Sequence, residues 1–188
     1  MTARAAVLLC VVSATCAFTL ACDDNALRAN TSVTEADTAD QVLDSVYHVI
    51  TRDGVKQSIV EADTAYFYEA SKVFELRGLR VTFFDAQGAQ TSVLTAREGT
   101  YRSALGEMEG RHDVVVRSTD GRTLTTEILK YDQDRNELST DQPFRFTGPG
   151  VSGSGVGFVS DPDFRNVTGQ QGRGVERNGG GAFVPPGQ

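Results

Sequence analysis

The chain has 188 residues, with 18 Lys and Arg against 25 Asp and Glu, for a net charge of −7. Such an acidic chain does not grip nucleic acid through its overall charge, because phosphate backbones are held by Lys and Arg. Its three cysteines are Cys10, Cys16 and Cys22. The chain beyond them therefore has no thiol for a disulfide framework, a cysteine zinc site, an iron–sulfur cluster or a nucleophile.

Residues 1–21 have the layout of an export signal. Arg4 is the only charge before Asp23, an apolar run follows from Ala5 to Val12, and small residues lead to Phe18, Thr19 and Leu20. The 17 uncharged residues from Ala5 to Ala21 sit at the short limit for a membrane span. Thr19-Leu20-Ala21-Cys22 resembles the lipobox of bacterial lipoproteins, with Thr19 where that motif prefers Leu. There the cysteine thiol is acylated and the chain is cut just before it, which predicts lipidation at Cys22; a plain leader, cleaved or not, is the alternative. Three acyl chains make a stable anchor, each buried CH₂ contributing about 0.8 kcal/mol. Asp23, directly after the cysteine, resembles an inner-membrane retention signal. Loss of Arg4 with the leader takes the charge from −7 to −8.

Residues 22–40 are polar, with almost no large apolar side chains, and read as a lipidated amino terminus and linker. Leu43, Val46, Tyr47 and Ile50 fall at helical spacing, but Asp53-Gly54 is a hairpin signal, so a strand is expected before it. The folded domain is expected over 41–168 as short β-branched and aromatic runs between Gly turns. Examples are Arg80–Phe84 before Gly88, His112–Arg117 before Gly121, and Pro143–Phe146 before Gly148. The segments Tyr68–Gly88, Tyr101–Gly121 and Tyr131–Gly150 repeat one plan, in which a Tyr leads through a polar turn and an apolar strand to a Gly turn. One hairpin cannot bury its own apolar face, so the repeats must share a core. These features predict an all-β fold of stacked antiparallel hairpins. Residues 169–188, rich in Gly and Pro, read as a disordered tail.

The motifs that carry chemistry fail on inspection. His48 and His112 lack ligand spacing, and partly exposed strand histidine is the better reading. Asp132–Asn136 begins like a calcium loop, but Glu137 stands at the glycine position and Pro143 at that of the bidentate Glu. The acid pairs Glu61/Asp63 and Glu107/Glu109 lie on strand faces and read as solvated. The glycine-rich 148–157 stretch lacks the Lys and helix of a phosphate loop. No enzyme activity, cofactor or metal is expected.

The body of the chain resembles the LptC family, the periplasmic bridge component of the lipopolysaccharide export machine. The resemblance runs over about 40–165, in Gln41-Val42-Leu43, Asp53-Gly54-Val55, Glu61–Tyr66, Leu94–Tyr101, Met108-Glu109-Gly110, Val114–Val116, Leu124–Tyr131, Leu138–Phe144, Ser152–Phe158 and Asp161–Phe164. It implies an open β-jellyroll, or β-taco, that takes lipopolysaccharide from an inner-membrane ABC transporter and passes it to a periplasmic bridge protein of like fold (LptA-like). A structural or assembly lipoprotein using its sheet for protein contacts alone is the competing reading. Familiar members hold to the membrane by an uncleaved helix, whereas this chain has a lipobox-like end; either anchor places the domain on the periplasmic side of the inner membrane. Alternation marks Val81 and Phe83, Val114 and Val116, Leu124 and Ile128, Phe144 and Phe146 as inward, and all but Leu124 and Ile128 are expected to line the acyl groove. Gly153 and Gly155 match the family's glycine-bearing stretch near its carboxyl-terminal docking edge, where a bulky residue is expected to block a partner strand.

Overall fold

A computed structural model describes residues 38–169 and 172–176. Cys22 and residues 177–188 lie outside the described residues. Every assigned element is a β-strand: β1 (Gln41–Arg52), β2 (Val55–Tyr68), β3 (Val73–Phe84), β4 (Gln90–Arg102), β5 (Glu107–Ser118), β6 (Thr123–Asp132), β7 (Glu137–Gly148), β8 (Val151–Ser160), β9 (Val167–Gly169) and β10 (Gly172–Glu176). The first eight form an antiparallel meander in chain order, and β9 and β10 both pair with β8. This is the all-β open sheet that the sequence predicted.

The turns follow from their residues. Asp53 and Gly54 both take positive φ, 51° and 78°, the geometry a two-residue hairpin needs to match strand twist. At the β3–β4 turn the Asp85 carboxylate accepts the amides of Gln87 and Ala89, both at 2.9 Å, and Gly88 supplies φ +82°. The region 43–50, where helical spacing competed with a strand, is strand, because β1 completes a ladder with β2 that no short helix could satisfy.

A line of irregularities crosses the sheet. Ser45, Gly78, His112, Asp113 and Gly157 have positive φ, and the ladder shifts register at Thr95/Glu98, Arg111/Val114, Thr126/Lys130 and Thr140/Pro143. Bulges bend strands and increase local twist. The sheet folds along this crease, so the two halves of each strand of the β1–β8 meander belong to opposite walls. Contacts across the fold prove it. The Phe83 ring meets Tyr131 edge-on at 4.9 Å, the Arg52 guanidinium donates to the Gln133 carbonyl, and Arg122 donates to the Phe164 carbonyl.

The core lies between these walls. Along one wall Val60, Val81, Leu94, Val116, Leu124 and Phe146 stand opposite one another from β2 to β7, all buried. The other wall holds Leu76, Met108, Leu129, Tyr131 and Leu138. The expectation for Ile128 is corrected here. It is only half-buried and Leu129 is buried instead, because the shift at Thr126/Lys130 moves the inward phase by one residue. Within the stretch expected as a disordered tail, 172–176 is strand β10, held by ladder pairs to Val151–Gly155.

Candidate functional site

The candidate site is the seam between the two walls. All six residues named as groove candidates face it: Val81 and Val116 are fully buried, Val114 is 1% exposed, Phe83 2%, and Phe144 and Phe146 4% each. Register brings them together. Val81 and Val116 flank Leu94, Phe146 continues the same row through Leu124, and Val114 and Phe144 flank Thr126 in the next row. Alternation found one wall only. Phe83 packs against Tyr131 of the other, a residue visible in the sequence as a repeat marker but not as an inward one.

The two ends of the seam differ. At the β1 end an aromatic ladder is half open. Phe67 stacks on Phe74 at 4.5 Å, Phe74 on Tyr101 at 6.2 Å, and His48 lies 6.3 Å from Tyr101. Burial raises the Tyr101 hydroxyl above its ordinary pKa. Leu43, opposite Ala65, and His48, opposite Val60, stand on this inner face yet are exposed. At the other end Phe144, Phe146, Phe158 and Phe164 close the seam ring against ring, with centroids 5.2–6.2 Å apart. A cavity of about 350 Å³ reaches Phe83 from the rim, bounded by Gln57, Phe84, Asn136, Asp161 and Arg165.

Ser58 and Ser92 flank Phe83 in register, and both hydroxyls are buried without a hydrogen-bond partner. A buried unpaired hydroxyl stabilises nothing. Ser58→Ala and Ser92→Ala are therefore expected to leave stability unchanged or raise it; a loss above about 1 kcal/mol in urea denaturation contradicts this.

Ion pairs of the central strands line the outer face. Arg111 bridges Glu75 at 3.1 Å and Glu109 at 3.2 Å and donates to Thr100 at 2.9 Å. Partial burial works against its charge, but Glu109 and Glu75 outweigh this and hold the guanidinium pKa above its usual value. His112 sits 2.7 Å from Glu127 and 3.8 Å from Glu98, and Arg77 pairs with Glu98 at 3.1 Å. Of the acid pairs, Glu109 and Glu61 are thus engaged by Arg111 and Arg80 as a surface ladder. Among the described residues no cluster of His, Cys, Asp and Glu could hold a metal ion, and no helix is long and apolar enough to cross a membrane.

Gly153 and Gly155 lie on β8 opposite Phe146 and Phe144, so they share the inner face. A side chain added there enters the seam beside the phenylalanine cluster as well as meeting a strand at the edge. On that edge Gly155 and Gly153 pair with Gly172 and Gly174 of β10.

A family model described as lipopolysaccharide-assembly, LptC-related, matches residues 6–168. No curated protein matches the chain.

Proposed function

The chain belongs to the LptC family of lipopolysaccharide-assembly proteins, and from that premise we propose that its seam carries the acyl chains of lipopolysaccharide between an inner-membrane ABC transporter and a periplasmic bridge protein. The observation that carries this is the unbroken apolar row from Val60 to Phe146, which runs across six strands with no polar or charged residue in it. Acyl chains need a continuous dry surface and no catalytic group. The seam is packed shut, so lipid enters by parting the walls about the crease, beginning at the half-open aromatic end. The net negative charge disfavours gripping lipid phosphates, so the hold is apolar. Cys22 is the anchoring thiol in this reading, and the β8 edge around Gly153 and Gly155 docks the bridge protein by strand addition.

The closed packing of Val81, Phe83, Val114, Val116, Phe144 and Phe146 favours one competing reading, in which the sheet serves protein contacts alone. Photo-crosslinking in cells separates the two. A benzophenone amino acid at Phe83 or Val116 is expected to yield lipopolysaccharide adducts that depend on transporter ATP hydrolysis. Protein adducts alone would sink the lipid-carrier reading.

A further inference from the structure

The β8 edge is already occupied. β9 pairs with Phe158–Ser160 and β10 with Val151–Gly155, so the chain's own end lies along almost the whole strand. The opposite edge, β1, carries no such cover among the described residues and leaves Val42, Leu43, Tyr47 and Val49 exposed. An uncovered edge is a template for any extended chain.

β10 is built weakly. It contributes five ladder pairs, and two of them set glycine against glycine, Gly172 opposite Gly155 and Gly174 opposite Gly153. Such pairs have no cross-strand side-chain contact, and each glycine loses more backbone freedom on ordering than any other residue. By contrast, β7 holds β8 through nine pairs. We infer that β10 is an exchangeable cap, which keeps the β8 edge closed until the edge strand of a partner sheet displaces it. This rests on the docking role proposed for that edge and adds its regulation. Displacement replaces backbone hydrogen bonds one for one, so the partner gains through side-chain pairs that the glycines of β10 cannot make.

The arithmetic is that of a partly populated competent state. If the cap is closed nine-tenths of the time or more, its removal tightens apparent affinity about tenfold or better. The test uses the full chain and the purified LptA-like bridge protein of the same export system as probe. In an antiparallel ladder alternate residues point their amides at the neighbour, so the double variant Arg173→Pro, Gly174→Pro must delete one bond to β8. It is expected to bind about tenfold tighter than the wild type. Amide exchange at Val151–Gly155 should rise in the free protein while the thermal midpoint holds. Gly172→Val with Gly174→Val strengthens the cap and is expected to bind several-fold more weakly. If the wild type binds and the proline variant binds no tighter, docking stands and the cap is overturned. If none of the three chains binds, the docking role falls, and this inference with it.

Discussion

Replacing Phe158 by alanine is expected to cost about 3–5 kcal/mol, measured by denaturant unfolding. The side chain has no exposed surface, and its ring lies 5.2 Å from Phe144, 6.1 Å from Phe146 and 6.2 Å from Phe164. Phe164 reaches the cluster from outside the meander, in a left-handed backbone conformation at φ +57°, with its carbonyl held by Arg122. A wall of four rings anchored at several points cannot collapse into the space of a missing one, so the transfer and cavity penalties both apply. Phe67, at the half-open end, gives the contrast. It is only partly buried, and its alanine variant should lose clearly less. Equal losses at the two positions would mean that the seam is not plugged at one end and open at the other.

Tyr131 makes the fold sensitive to alkali. Burial pushes its hydroxyl up to about 12, with Arg52 pulling the other way and Asp132 adding to the rise. The hydroxyl donates to Asn136 at 3.1 Å, an arrangement that also favours the neutral form. In the unfolded chain a tyrosine ionises near pH 10. The neutral form is the one the fold prefers, so its contribution is complete below about pH 10 and is lost as pH rises to about 12. A shift of this size corresponds to about 2–3 kcal/mol across that window. The check is urea denaturation at pH 9 and pH 11.5 on wild type and Tyr131→Phe. The phenylalanine variant is expected to show a smaller fall, and equal falls would remove Tyr131 as the cause.

Much of this was legible in the sequence. Hairpin turns at Asp53-Gly54, Gly88 and Gly121 require left-handed glycines, and local chemistry alone writes that requirement. The tyrosine-led repeat shows in the order of hairpins, since Tyr68, Tyr101 and Tyr131 each stand at or next to the end of an even-numbered strand. Within half a strand, alternation suffices. Val81 with Phe83, Val114 with Val116 and Phe144 with Phe146 all face inward as expected. The match over residues 6–168 agrees with the family that those motifs resemble.

The second wall was not legible, and the reason is the crease. Along β2 the inward residues run Val60, Ala62, then Ala65; along β3 they run Leu76, Leu79, Val81; along β6 they run Leu124, then Leu129 and Tyr131. β2, β3 and β6 change phase where the sheet folds, so there a period of two carried through from either side names the wrong residue, as it did at Ile128. β5 and β7 keep one phase through the crease, from Met108 to Val116 and from Leu138 to Phe146. The same holds for the partners of each row. Which wall Phe83 meets, and that Phe164 returns to close the far end, depends on contacts between residues about 20 to 50 positions apart. Composition, turn chemistry and short-range alternation set the strands and their order, because those are local energies of backbone and pleat. Where the strands bend, which faces meet, and what lies along the β8 edge follow only from packing two walls around one core, which no segment does by itself.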